Sequence, residues 1–123
     1  MKNMDKKVLI VEDDTVLANA LSLALKDKYT ISLATDGKEA EEMIAKDRPD
    51  LILLDLLLPI KNGFEVLRSL RANESARNVP VVVLTNFEQE TSIEEAMKMG
   101  VKDYIVKANI DIKDVPAVVA KYI

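Results

Sequence analysis

The chain has 123 residues, 49% apolar and 31% charged, with 17 basic against 21 acidic side chains and a formal net charge of −4. That length and apolar share suit one domain, residues 1–123, built on a single core, and exclude intrinsic disorder. It holds no Cys, and its His count is 0, which excludes a Ser-His-Asp triad, imidazole or thiolate metal sites and a phosphohistidine, leaving carboxylates, hydroxyls, amines, guanidinium groups and the backbone.

In chain order, Lys7–Val11 (KVLIV) is a short continuous apolar run of branched residues, the pattern of a central strand covered on both faces. A helical stretch over Thr15–Lys26 follows. Thr30–Ala34 (TISLA) alternates, as an edge strand does, and Lys38–Ala45 is again helical in composition. Asp36 with Glu39 has the spacing of a capping box ahead of that helix. Leu51–Leu54 (LILL) and Val81–Leu84 (VVVL) read as two further central strands, separated by a helix over Phe64–Arg71. Thr91 with Glu94 repeats the capping-box spacing before a helix over Ser92–Met99, and Gly100 stands where a left-handed cap belongs. Tyr104–Val106 is a fifth, edge-length run. The last helix spans Val115–Tyr122 and begins near Asp114, because Pro116 is tolerated only in a first turn.

Strict alternation of strand and helix predicts an α/β fold, doubly wound, with a five-stranded parallel sheet and helices on both faces. With the second strand at an edge and the first, third and fourth central, the strand order is 2-1-3-4-5, the flavodoxin-like arrangement, and ligands are expected beyond the carboxyl ends of the strands. Those ends carry the polar residues. The first strand runs into Glu12-Asp13-Asp14 and the third into Asp55, so four carboxylates approach one rim. Asp14 is explained as a helix cap; Asp13, Glu12 and Asp55 are not, and oxygen ligands in an acidic cleft suit Mg²⁺. Asp55 interrupts an apolar run where a charge is costly. Beside Asp13 it is a candidate nucleophile, able to accept a phosphoryl group when a cation neutralises the developing charge. Thr85 ends the fourth strand and Lys107 the fifth, adding a hydroxyl and an ammonium at the same rim.

The motifs VLIVEDD, DLILLDLLLPIKNG, VVVLT and AMKMGVKDYIVK make the chain, from Lys7 to its final helix, resemble the receiver domain of two-component response regulators, the family of chemotaxis regulators. The resemblance implies that Asp55 is the phosphoacceptor. Asp13, Asp55 and the backbone carbonyl of Leu57 would then ligate Mg²⁺, with Glu12 joining directly or through water, and Lys107 and Thr85 would bind phosphoryl oxygens. Thr85 and Tyr104 would form the switch pair, and Pro59 and Gly63 would shape the turn after the acceptor strand, with Gly63 allowing a backbone conformation that other residues resist. It implies a signalling domain rather than an enzyme, one that assists its own phosphorylation and dephosphorylation. The partners it implies are a sensor histidine kinase or histidine phosphotransferase, a downstream effector, and a second copy in a phosphorylation-dependent homodimer.

Two positions depart from the family pattern: Ala108 follows Lys107 where a proline, often in a cis peptide, is usual, and Asn86 follows Thr85 where a small residue is preferred. A non-proline cis bond costs about 2.5–4 kcal/mol, so the Lys107–Ala108 loop is expected to be strained or rerouted. Leu57 and Phe87 flank the site, and their apolar bulk is expected to hinder attacking water and prolong the phosphorylated state. The acid excess argues against direct nucleic-acid binding. The polar first seven residues lack a secretory h-region, and the apolar segment around Asp55 is too short for a membrane helix, so a cytoplasmic protein is expected. The alternative is a receiver-like interaction module that works without phosphorylation. A flavin or nucleotide binder is disfavoured, because Glu12-Asp13-Asp14 would repel phosphate at the turn where such proteins present amides and hydroxyls. An aspartate phosphatase is disfavoured by Leu57, which stands where a second acid is expected.

Overall fold

The computed structural model describes residues 5–86 and 90–123. Five strands alternate with five helices: β1 (Lys7–Val11), α1 (Thr15–Leu25), β2 (Thr30–Ala34), α2 (Gly37–Lys46), β3 (Leu51–Asp55), α3 (Gly63–Ala72), β4 (Val81–Thr85), α4 (Glu90–Lys98), β5 (Asp103–Val106) and α5 (Val115–Tyr122). All neighbouring strands pair in parallel, in the order β2-β1-β3-β4-β5. The apolar runs are central for the expected reason: every residue of β3 and β4 is buried, and successive side chains feed two separate cores. Leu9, Val11, Ile52, Leu54, Val81 and Val83 pack with α2, α3 and α4 on one face. Val8, Ile10, Leu51, Leu53, Val82 and Leu84 pack with α1 and α5 on the other. β2 and β5 lie at the edges and keep exposed positions.

Both β3 and β4 run one residue further than their apolar runs, taking Asp55 and Thr85 into the sheet. The backbone ladder continues wherever a neighbouring strand offers partners, whatever the polarity of the side chain. Asp36 caps α2 by accepting from the Glu39 amide at 2.7 Å, but the Glu39 carboxylate accepts from Thr35 N rather than from Asp36 N, one residue short of the reciprocal box. The fourth helix spans Glu90–Lys98, so Thr91 lies within it rather than ahead of it. Gly100 has φ of +82° after α4, in the left-handed region that favours glycine. Pro116 sits in the first turn of α5, which is preceded by a 3₁₀ turn over Ile112–Asp114.

Among the described residues there is no cis peptide. After β5, Lys107–Asn109 forms a 3₁₀ turn closed by Ile110 N donating to Lys107 O. No helix among the described residues is long and apolar enough to cross a membrane.

Candidate functional site

At the carboxyl rim of the sheet, three strand ends deliver charge to one point. Glu12 follows β1 and is held there by its own amide donating to Ala34 O at 3.0 Å, an extension of the β1–β2 ladder. Its side chain is fully buried, and Oε2 accepts from the Asp14 amide at 3.1 Å. Asp14 caps α1, its Oδ1 accepting from Val16 N and Leu17 N, which leaves Asp13 between them with an exposed side chain. Asp55, 2% exposed, ends β3 beside Leu84 of β4. Its Oδ1 accepts from Leu57 N at 3.0 Å and its Oδ2 from Lys107 Nζ at 2.7 Å.

Lys107 reaches both buried acids, with Nζ 2.5 Å from Glu12 Oε1 as well as 2.7 Å from Asp55 Oδ2. The sequence places Lys107 at this rim, but its contact with Glu12 as well as Asp55 is visible only in the folded chain. β1 and β3 are neighbours, but β4 lies between them and β5, so the long Lys107 side chain crosses the end of β4 to meet both acids. The contact with Glu12 Oε1 is a short buried ion pair, so one oxygen of this carboxylate faces the ammonium and the other the Asp14 amide. Burial pushes the Glu12 carboxyl up to about 7; Lys107 and the Asp14 amide oppose the rise, and the Asp55 charge adds to it. For Lys107, burial lowers the pKa, but Asp55 and Glu12 together outweigh it and the net shift is upward.

Ligand oxygens of Glu12, Asp13 and Asp55 lie within 4.8 Å of one another. Two carboxylates at that separation repel by about 3 kcal/mol at an effective dielectric near 20. Lys107 compensates one of the two buried charges. The all-oxygen set, in which two buried carboxylates are joined by exposed Asp13, fits a hard divalent cation that keeps part of its water shell.

Thr85 is buried at the end of β4, in register with Val106 of β5 and so beside the strand that delivers Lys107. Tyr104 is 43% exposed. Leu57 places its amide on Asp55 and exposes its side chain, as does Asn86 after Thr85. Phe87 lies outside the described residues.

Gly63 is required, but not for an unusual backbone angle: the only glycine with positive φ among the described residues is Gly100. Its Cα instead passes so close to the acceptor strand that a Cβ would sit 2.4 Å from Asp55 O and 2.6 Å from Leu56 Cα. Gly63 N donates to Leu56 O at 2.9 Å, closing the loop that carries Leu57, Pro59 and Ile60.

A family model described as the response regulator receiver domain matches residues 8–119. The response regulator MprA of Mycobacterium ulcerans is 38% identical over 105 residues, 85% of this chain and 44% of that protein. The chain thus spans less than half the length of that relative. Among solved structures, the chemotaxis protein CheY4 of Vibrio cholerae superposes with a TM-score of 0.88 at 26% identity, covering 96% of this chain and 98% of that one. The receiver domain of the sensor histidine kinase PA1611 from Pseudomonas aeruginosa, with a magnesium ion coordinated in its active-site cleft, gives 0.85 at 28% identity, covering 95% and 96%.

Proposed function

Since the chain belongs to the response regulator receiver family, we propose that Asp55 accepts a phosphoryl group from a phosphohistidine on a partner and that this acyl phosphate switches a protein-interaction surface. The observation that carries the reading is the convergence of Glu12, Asp13 and Asp55 within 4.8 Å, with Lys107 bridging the two buried members. In the transfer, an Asp55 carboxylate oxygen forms the new O–P bond as the P–N bond breaks, and the electron pair returns to the imidazole. Lys107 is already on Asp55 Oδ2 and is placed to follow charge onto the equatorial phosphoryl oxygens, where a fixed ammonium in a water-poor site is most effective. The Leu57 amide on Oδ1 fixes the rotamer of the acceptor.

The residues that would hold Mg²⁺ are Asp13, Asp55 and the Leu57 carbonyl, with Glu12 acting directly or through water. A bound cation would supply charge neutralisation between acceptor and phosphoryl oxygens. Thr85, buried beside the acceptor, would donate its hydroxyl to the phosphoryl group, and Tyr104 on the neighbouring strand would change rotamer with it. The fitting partners are a sensor histidine kinase or histidine phosphotransferase, an effector, and a second copy of the chain when phosphorylated, all in the cytoplasm. The unit that does this is one receiver domain over residues 1–123.

The test is incubation with acetyl phosphate and Mg²⁺, read by intact mass. Addition of one phosphoryl group that requires Mg²⁺ and is lost in Asp55→Asn is expected. No gain, or equal gain in Asp55→Asn, would overturn the assignment in favour of a phosphorylation-independent interaction module.

A further inference from the structure

At the end of the sheet opposite the acidic rim, where the chain enters β4 and β5, lies a cavity of about 480 Å³ lined by Arg71, Arg77, Lys98 and Lys102 and by no carboxylate. In a chain of net charge −4 this is a local concentration of cations. Among the described residues none of the four forms an ion pair.

Two have structural duties. Arg71 is a clip: Nε donates to Met99 O, Nη1 to Arg77 O and Val79 O, and Nη2 to Gly100 O, at 2.7–3.1 Å. Neutral carbonyls satisfy its donors but leave its charge uncompensated, and a guanidinium does not deprotonate. Lys98 stands in the last turn of α4, where a cation complements the helix dipole. Neither duty applies to Arg77 or Lys102, which are exposed, come from different loops and border the same space.

We propose that this cavity binds a small, multiply charged oxyanion, a di- or triphosphate group in particular. Guanidinium and ammonium donors together match phosphate oxygens in geometry and charge. The volume lies in the range of small-molecule sites, about 300–1,000 Å³. With four cations and no acid on its walls, the cavity selects for negative charge rather than for apolar shape. The site lies at the opposite ends of the strands from Asp55 and is independent of phosphoryl transfer there.

Tripolyphosphate, ATP and adenosine are each titrated, without divalent cations, into the isotopically labelled full chain, and amide shifts are followed by NMR. For tripolyphosphate the expected result is a saturable, one-to-one response confined to residues 71–79 and 98–102, weakening as salt is raised. Adenosine is expected to be silent. ATP tighter than tripolyphosphate identifies a nucleotide as the better ligand, and equal affinity identifies the phosphate chain alone. The double variant Arg77→Gln/Lys102→Gln, altered only at exposed positions, is expected to bind about tenfold or more weakly, while Lys26→Gln/Lys28→Gln, at positions that do not line the cavity, changes nothing. The proposal is overturned by no saturable response to tripolyphosphate up to about 10 mM, far beyond a useful affinity. It is equally overturned by shifts scattered over all surface lysines, or by undiminished affinity in the Arg77/Lys102 variant.

Discussion

Replacing Gly63 by alanine separates two physical accounts of the turn that follows the phosphoacceptor strand. Gly63 is the first residue of α3, whose cap Asn62 accepts from Glu65 N at 3.0 Å. Helix propensity alone favours Ala over Gly by up to about 1 kcal/mol and predicts stabilisation. The structure predicts the reverse. The added methyl would meet Asp55 O at 2.4 Å and Leu56 Cα at 2.6 Å, and both are backbone atoms of a strand end that cannot swing aside as a flexible side chain can. Ordinary contact at about 3.5 Å or more requires the loop and strand end to part by close to 1 Å. Forcing one carbon into a packed site costs about 1–3 kcal/mol. With a urea slope of about 2 kcal/mol per M, the midpoint falls by about 0.5–1.5 M. The displaced group is the backbone of Asp55 itself, so labelling by acetyl phosphate slows as well, by about tenfold or more, since a misplacement near 1 Å can cost about 10²-fold. Urea denaturation and the rate of mass gain measure the two effects on one preparation. A Gly63→Ala variant with an equal or higher midpoint and an unchanged labelling rate would refute the close-approach argument.

Three other outcomes follow from the structure. Lys107→Met leaves Glu12 and Asp55 buried without their shared cation, and stability in metal-free buffer is expected to drop by about 3 kcal/mol, with Mg²⁺ restoring part of it by binding the folded state; equal urea midpoints for variant and parent without metal would count against the bridging role. Arg71→Lys should destabilise by about 1–3 kcal/mol, because one ammonium cannot reach the carbonyls of Arg77, Val79, Met99 and Gly100 in place of a fork that does; the thermal midpoint in each variant reads this directly. Tyr122 donates its hydroxyl to Asp103 Oδ2, which with burial raises the phenol above its usual value. The neutral phenol is therefore the form the fold favours, so its contribution is intact below pH 10 and disappears as pH climbs through the raised value. Ultraviolet titration of the parent minus Tyr122→Phe should show a midpoint above 10 that moves down in Asp103→Asn.

The sequence alone was sufficient for the fold. Branched apolar runs a strand long, separated by stretches a helix long, admit few arrangements once crossovers must be right-handed, and the observed order and two-faced core follow from that constraint. It also sufficed to nominate Glu12, Asp13, Asp55, Thr85 and Lys107, because a charge or hydroxyl ending a buried strand is conspicuous against its neighbours and the strand order places those ends on one rim. Local endings were less legible: the start of α4 before Thr91, the Glu39 bond to Thr35 and the extra residue on β3 and β4 depend on which backbone partners lie within reach.

Only the tertiary structure decided how charge is shared at the site and why particular small or charged residues are needed. That Lys107 lies on both Glu12 and Asp55, and that Gly63 is required for closeness rather than for its dihedral angle, both depend on distances between segments far apart in the chain. The same is true of Arg71 and its basic cavity, since helix end, strand entry and loop meet there without any local pattern to announce it. Periodicity records which face of an element is buried; it carries no information about which two loops the folded chain brings within a few ångströms of each other.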